Sequence, residues 1–149
     1  MTTLWIKNPL ALFDGYHELK GGGLVIQNQT IVELVAAGQT PQTPIDQSFD
    51  ASEYVVLPGL INTHHHFYQT LTRAYPAALN KELFPWLKTL YPVWAGLEPD
   101  MMAVATELAL VELMMSGCTT AADHHYLLPQ GLEYAIDTQV EVAQKLGIR

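Results

Sequence analysis

Five of the six histidines fall in two clusters, and the first cluster has the spacing of a metal site. His64 and His66 stand two residues apart, so on a strand both project to the same face, with His65 turned away. Two imidazoles placed in this way suit a zinc or iron(II) ion. A bound divalent ion lowers the pKa of a coordinated water to about 7 and supplies the hydroxide that a hydrolase or deaminase needs. We therefore predict that His64 and His66 are a pair of ligands for one metal ion.

The second cluster is the run Asp123-His124-His125-Tyr126. We expect His124, His125 and Tyr126 to line a pocket above the metal, and the alternative is a hydrogen-bonded loop without a ligand. Asp123 is the nearest candidate for a general acid or base. A carboxylate at this position is more often a strand-end cap or a partner for a histidine. The sequence therefore assigns a catalytic role to no residue of the chain.

An amide and several aromatic rings complete the set of candidate substrate-binding residues. Gln69 lies three residues after His66, and its amide offers the donor and the acceptor that suit the edge of a heterocycle. Trp86, Tyr91 and Trp94 could enclose a flat ligand, although rings at such spacing more often anchor the packing of a core. Of the three, Trp86 is the predicted substrate contact.

The elements that must position these residues change in character near Pro58. Before it, the sequence predicts short strands with residues 21–23 as a glycine turn and residues 39–48 as a polar loop. This part is too small to close a sheet alone. The predicted strands cover residues 4–7, 10–13, 24–27, 31–36 and 54–57.

After Pro58, predicted strands alternate with predicted helices. A buried strand over 60–63 ends at the first histidine cluster, and a strand over 118–122 ends at the second. Between them lies a long irregular stretch, 67–98, which includes a short helix near 86–90. A helix buried on most sides runs from Pro99 to a stop at Gly117, and another runs from about 131 to 146. Such alternation indicates parallel β/α units, whose chemistry sits where the strands end.

Composition bounds the class of protein. With 49% hydrophobic residues among 149, the chain is globular, and its net charge of −8 argues against nucleic acid as a partner. The single cysteine, Cys118, excludes an internal disulfide and a four-cysteine zinc site, and it favours a reducing cytoplasm. The apolar stretch 101–115 contains two glutamates and falls short of a membrane span. We expect a cytoplasmic protein with no membrane partner and no signal peptide.

Residues 56–66, Val-Leu-Pro-Gly-Leu-Ile-Asn-Thr-His-His-His, resemble the first-strand signature of the amidohydrolase superfamily. The spacing His64-x-His66-x-x-Gln69 is similar to that of its purine and triazine deaminases. Further segments resemble most closely the 8-oxoguanine deaminases and hydroxydechloroatrazine ethylaminohydrolases of this superfamily. Those segments are residues 84–87, 90–94 and 119–126.

This resemblance implies an α/β fold with two parts. Residues 1–57 would be the N-terminal part of a composite β-sandwich. Residues 58–149 would be the first two β/α units of a TIM-like (β/α)8 barrel. Because such a barrel alone needs roughly 250 residues, we expect the chain to be a fragment and inactive by itself. The remaining metal ligands and a His-x-x-Glu proton shuttle would lie beyond Arg149.

The resemblance also implies the chemistry. One zinc ion per subunit, or iron(II) instead, would be held by His64 and His66. Gln69 would contact a purine-like ring, from which the full-length enzyme releases ammonia. The leading substrate is an oxidised purine such as 8-oxoguanine, and a small heterocycle is thus the expected partner. Homo-oligomers are expected in this group.

Three alternatives remain open. The same site could deaminate guanine, isocytosine or a hydroxytriazine. The chain could be a metal-binding module without catalysis. It could also belong to an enzyme that hydrolyses cyclic amides with two metals. A zinc deaminase of the cytidine type is excluded, since it needs a Cys-x-x-Cys pair and this chain has one cysteine.

Overall fold

The computed structural model describes residues 2–19 and 21–149, which form a mixed α/β fold. The chain divides into two compact units, one ending at Pro58 and the other beginning at Gly59. The described residues contain nine strands, three α-helices and two short 3₁₀ helices. The mixed α/β class predicted from the sequence is therefore present.

The first unit consists of strands. A four-stranded sheet has the order β5-β4-β1-β6, and a three-stranded sheet has the order β3-β2-β7. β1 runs antiparallel to β4 and parallel to β6. The strands are β1 (Thr3–Lys7), β2 (Ala11–Phe13), β3 (Glu18–Leu19), β4 (Gly21–Gln27), β5 (Thr30–Ala36), β6 (Gln47–Asp50) and β7 (Val55–Val56).

Two predictions for this unit differ from the structure, and both depend on strand pairing. The predicted loop 39–48 is present over 39–46, but its last two residues belong to β6, whose four residues are all exposed and lack the apolar alternation that marks a strand. The predicted glycine turn lies inside β4. Gly23 has φ +128°, and a Cβ there would lie 1.9 Å from the carbonyl oxygen of Ile6. Glycine therefore serves the close approach of β1 and β4, since a side chain has no room.

The second unit holds both histidine clusters. Strands β8 (Leu60–His65) and β9 (Cys118–Asp123) pair in parallel. The 3₁₀ helices Phe67–Thr72 and Pro76–Ala78 follow β8. The α-helices are α1 (Leu83–Trp94), α2 (Pro99–Met115) and α3 (Ala135–Leu146).

The stretch 67–98 is more regular than predicted, because α1 covers twelve of its residues. Pro85 sits in the first turn, where a missing N–H leaves no helical hydrogen bond unmade. Leu90 and Trp94 on α1 are buried to 1% and 0% exposure, in a core with Tyr68 and Met102. Burial of these side chains stabilises α1, although the proline-rich sequence by itself gives only a weak signal for a helix.

Helix α2 begins at Pro99 as predicted, and Gly117 follows it with φ +86°. The prediction that it is buried on most sides was wrong within the described residues. One face, which includes Met102 and Ala109, is fully buried, whereas Val104 on another face is 56% exposed. Among these residues no helix is long and apolar enough to cross a membrane.

Two further boundaries differ from prediction. Helix α3 begins at Ala135 rather than near residue 131, and it ends as expected before Gly147, which has φ +78°. Strand β8 was predicted to be buried, but Leu60 and Ile61 are 59% and 67% exposed. In the described part of the chain β9 is the only strand that pairs with β8, so β8 is an edge strand of a two-stranded sheet.

Candidate metal centre

The end of β8 brings two imidazole nitrogens together. The Nε2 atoms of His64 and His66 lie 3.2 Å apart, with the rings nearly perpendicular. Two metal–nitrogen bonds of about 2.0–2.1 Å, meeting at a near-tetrahedral angle, place their nitrogens about 3.1–3.4 Å apart. The separation of the two nitrogens therefore suits a tetrahedral ion such as zinc, and the metal-binding role of His64 and His66 stays a prediction.

A backbone carbonyl fixes the tautomer of His66. Its Nδ1 lies 2.8 Å from the carbonyl oxygen of His124. Because a carbonyl oxygen can only accept, Nδ1–H is the donor, and Nε2 keeps the lone pair that a metal needs. The contact also orients the ring toward His64.

The ring of His124 supports His64. The two rings stack with centroids 4.2 Å apart and planes 23° apart. The Nε2 of His124 lies 3.2 Å from the carbonyl oxygen of Thr63, which it meets as a donor. His124 therefore holds the pair in place from the neighbouring strand, a role that the spacing of the histidines does not reveal.

The imidazole of His65 does not join this pair and instead accepts a hydrogen bond from the backbone. Its Nδ1 accepts the backbone N–H of His66 at 2.9 Å, and its ring lies beside Phe67. Burial lowers the pKa of His65, which favours the neutral ring that this acceptor role requires. Within residues 2–19 and 21–149, no group of three or more His, Cys, Asp or Glu side chains is arranged to hold a metal. The described residues thus offer two candidate ligands, His64 and His66.

Asp123, at the end of β9, acts as a hydrogen-bond acceptor. Its Oδ1 accepts the N–H of Phe67 at 2.9 Å, and its Oδ2 accepts Nε2–H of Gln139 at 2.7 Å. Burial raises the pKa of Asp123, but the imidazole of His125, 3.7 Å from Oδ2, and the hydrogen bonds from Phe67 and Gln139 together outweigh it and hold the pKa below its usual value. An ionised carboxylate with both oxygens engaged agrees with the strand-end cap that the sequence favoured over an acid or base.

His125 lies in the interior, which differs from the predicted pocket lining. Its side chain is 1% exposed, and its ring packs against Tyr68 with centroids 5.3 Å apart. Nδ1 lies 3.4 Å from Nε2 of Gln139, and Nε2 has no hydrogen-bond partner among the described residues. Successive side chains point to opposite sides of the chain here, so His124 faces His64 and His66 whereas His125 faces the interior.

Gln69 lies beside the histidine pair, and two phenol hydroxyls hold its amide. Its Nε2 lies 3.2 Å from the hydroxyl of Tyr126 and 3.3 Å from that of Tyr68. Burial raises the pKa of Tyr68, so this residue stays a neutral phenol. The amide nitrogen of Gln69 is thus engaged, and among the described residues no donor is found for its amide oxygen, which can therefore accept. The ring of Tyr126 also stands edge-on to His66, with centroids 5.2 Å apart.

A cavity of about 560 Å³ lies beside Gln69, and its size is within the usual range for small-molecule sites. Tyr126, which was predicted to line the pocket, is not among its lining residues. The lining includes His64, His66, Gln69 and Trp86, and it also includes a charged pair, Arg73 and Glu112. The guanidinium of Arg73 binds both oxygens of Glu112, at 2.7 and 3.0 Å. The sequence offered no sign of this pair, which joins residues 39 positions apart.

The aromatic candidates divide into two roles. Trp94 is fully buried, and its Nε1 donates to Oγ1 of Thr72 at 3.0 Å. It is thus a packing anchor. Trp86 is half-buried, packs edge-on against Trp94 and borders the cavity. Tyr91 is 42% exposed and packs on Trp94.

Comparison with known proteins places this geometry in context. The amidohydrolase family matches residues 55–149. The chain is 60% identical over its whole length to an 8-oxoguanine deaminase of Pseudomonas aeruginosa. It is 34% identical, over 93% of its length, to a hydroxydechloroatrazine ethylaminohydrolase of Pseudomonas sp. strain ADP. The chain spans 33% of the length of each of these relatives.

A solved structure shares the fold. The atrazine chlorohydrolase of Arthrobacter aurescens TC1 complexed with zinc superposes with a TM-score of 0.83 and 27% identity. The superposition covers 98% of this chain and 34% of that enzyme. The mixed α/β fold described above therefore recurs in a zinc-containing hydrolase.

Proposed function

Since the chain belongs to the amidohydrolase family, we propose that it is the metal-binding N-terminal part of a hydrolytic deaminase. The observation that carries this proposal is the pair of Nε2 atoms of His64 and His66, 3.2 Å apart. The carbonyl of His124 keeps the lone pair of His66 available for a metal. The proposed activity is that of the full-length enzyme.

Zinc is the proposed metal, with iron(II) as the alternative. A structurally similar enzyme is complexed with zinc, and the separation of the two nitrogens suits that ion. When bound, such an ion supplies a water molecule of lowered pKa as the nucleophile. His64 and His66 would hold it, and the stacked ring of His124 keeps His64 in place.

The proposed substrate is an oxidised purine such as 8-oxoguanine. The 60% identical relative is an 8-oxoguanine deaminase. In the proposed reaction, water attacks the ring carbon that bears the amine, a C–O bond forms, the C–N bond breaks and ammonia leaves. The free amide oxygen of Gln69 suits a ring N–H, and Trp86 offers a face for a flat ring. Tyr126 would bound the site through its hydroxyl on Gln69, whereas the buried ring of His125 would support it from behind.

The proposal extends to the domains. Residues 1–57 would contribute to a composite β-sandwich, and residues 58–149 would form the first two β/α units of a (β/α)8 barrel. Support for the barrel comes from the parallel pairing of β8 and β9, followed by α2 and α3 respectively along the chain. The candidate site lies at the C-terminal ends of both strands, where barrel enzymes place their chemistry.

A substrate panel tests the proposed function. Ammonia release by the zinc-loaded full-length protein would be measured with 8-oxoguanine, guanine, isocytosine and a hydroxytriazine. We expect kcat/KM for 8-oxoguanine to exceed that for guanine at least tenfold, roughly a 1.4 kcal/mol preference. A higher value for guanine would make the substrate wrong but leave the deaminase class intact. No ammonia from any of the four would favour the non-catalytic metal-binding alternative.

Two matched histidine variants complete the test. His66→Ala should abolish ammonia release, because it removes one of the two ligands. His17→Ala removes an imidazole that is 79% exposed in the first unit, and it should leave the rate unchanged. Chelation of the metal should abolish the activity of the wild-type protein, and added zinc should restore it.

A further inference from the structure

His66 occupies the N-cap position of the 3₁₀ helix Phe67–Thr72 but makes no side-chain cap hydrogen bond. The first N–H groups of a helix have no partner within the helix, and a polar N-cap side chain usually satisfies one of them. The imidazole of His66 is directed instead at His64 and at the carbonyl of His124. The buried residue Phe67 therefore needs another acceptor for its N–H.

Asp123 supplies that acceptor from 56 residues away along the chain. Its Oδ1 lies 2.9 Å from the backbone nitrogen of Phe67. Its side chain is 9% exposed, and Gln139, which is 6% exposed, fixes the other oxygen from helix α3 at 2.7 Å. The carboxylate that caps the helix is thus buried, and a side chain of helix α3 holds its second oxygen in place.

We propose that Asp123 is a positioning residue for the histidine pair His64 and His66, an inference that rests on their proposed metal-binding role. It caps the helix in place of His66, which leaves the imidazole free for the metal. Two bonds flank the cap: the N–H of His124 donates to the carbonyl of His65 at 2.7 Å, and Nδ1–H of His66 donates to the carbonyl of His124 at 2.8 Å.

Loss of the cap would act on the metal through the backbone. Phe67 is 5% exposed, so its N–H cannot turn to water without a shift of the chain. A buried donor left without an acceptor is strongly disfavoured, and the backbone rearranges to avoid it. The residue directly before Phe67 is His66, so such a shift would move its Nε2 away from that of His64.

The experiment measures the zinc dissociation constant of the full-length protein by competition with a chromophoric chelator. The absorption spectrum of the cobalt-substituted protein is recorded in parallel. Asp123→Ala should weaken zinc binding about tenfold, as is typical when an outer partner of a metal site is lost, and should alter the cobalt spectrum. Asp123→Asn should stay within about threefold of wild type, because its amide oxygen can still accept from Phe67.

Thr106→Val is the matched control. It removes another buried side-chain hydrogen bond of this unit, from Oγ1 of Thr106 to the carbonyl of Met102, and it should leave zinc affinity unchanged even where it lowers stability. Wild-type affinity in Asp123→Ala would overturn the proposal. So would equal losses in Asp123→Ala and Asp123→Asn, or in Asp123→Ala and Thr106→Val.

A second variant decides the matter should Asp123→Ala fail to fold. Gln139→Leu keeps the carboxylate but removes the donor that orients it. Zinc binding should weaken about threefold, less than the tenfold or more expected for loss of an outer partner itself. An unchanged zinc affinity in this variant would overturn the proposal. The proposed deaminase has a separate measurement, since ammonia release decides the reaction and zinc affinity decides the role of Asp123.

Discussion

The Nδ1 atom of His66 lies 2.8 Å from the carbonyl oxygen of His124. This contact joins the ends of two parallel strands and selects the nitrogen of His66 that can bind a metal. The acceptor belongs to the backbone, so the side chain at position 124 is not needed for it. The rings of His64 and His124 are stacked, and that second contact does depend on the side chain.

The two histidines should therefore differ in their effect on metal binding. His66→Ala should weaken zinc binding by more than about 100-fold, because a ligand is lost. His124→Ala should weaken it by only about tenfold, at the lower end of the range for an outer partner, since the carbonyl remains. Zinc content after dialysis and a competition assay would measure both. Equal losses in the two variants would contradict the assignment of His66 as ligand and His124 as support.

Tyr126→Phe tests the orientation of Gln69. The hydroxyl of Tyr126 is one of two that hold its amide nitrogen. Loss of one such hydrogen bond, about 0.5–1.5 kcal/mol, should raise KM about two- to tenfold with little change in kcat. Steady-state kinetics with 8-oxoguanine would measure this change. Tyr134→Phe, at a position 76% exposed, is the matched control, and an equal rise in KM there would count against the role of Tyr126.

Glu33 should make the first unit sensitive to acid. The backbone N–H of Gln42, followed by the hydroxyl and N–H of Thr43, lowers the pKa of Glu33 below 4.5. A lowered pKa means that the stabilisation is present above pH 4.5 and is lost as the pH falls through the folded-state value. Glu33→Gln should thus lower the melting temperature at pH 7, and its difference from wild type should shrink as the pH falls below 4.5.

Thr43→Val provides the graded comparison for this effect. It removes the hydroxyl of Thr43 but keeps both backbone donors to Glu33. Its loss of melting temperature at neutral pH should be smaller than that of Glu33→Gln. A difference between Glu33→Gln and wild type that stays constant from neutral to acidic pH would show that Glu33 does not act through its charge.

Two glycines with positive φ should respond differently to alanine. Gly38 has φ +73° and open space where a Cβ would lie, so Gly38→Ala should cost about 1–2 kcal/mol for the left-handed backbone alone. Gly23 has φ +128°, and its Cβ would collide with the carbonyl of Ile6. Gly23→Ala should cost several-fold more because β1 and β4 must separate. Denaturant unfolding of both variants would measure the difference, and similar losses would contradict the close approach.

Local patterns determined several elements correctly. The limits of α2 follow from Pro99 and Gly117, since proline suits a first turn and glycine tolerates the φ of +86° that ends the helix. The convergence of His64 and His66 follows from the two-residue period of a strand. The amidohydrolase resemblance drawn from residues 56–66 is confirmed by the family match. Each of these signals lies within a short window of sequence.

Other features depend on partners that are distant in sequence. Strand β6 carries no apolar alternation and forms because β1 offers free backbone groups beside it. Likewise, the twelve residues of α1 are stabilised by burying Leu90 and Trp94. Neither contribution is visible in local periodicity, and both predictions therefore fell short.

The site divides in the same way. The sequence by itself determined which residues could bind a metal and on which face of the strand they stand. The tertiary structure alone decided that Asp123 caps Phe67, that the carbonyl of His124 selects the tautomer of His66, and that His125 faces the interior. The reason is register: these bonds join residues 56 and 58 positions apart. The parallel pairing of β8 with β9 sets which of them meet.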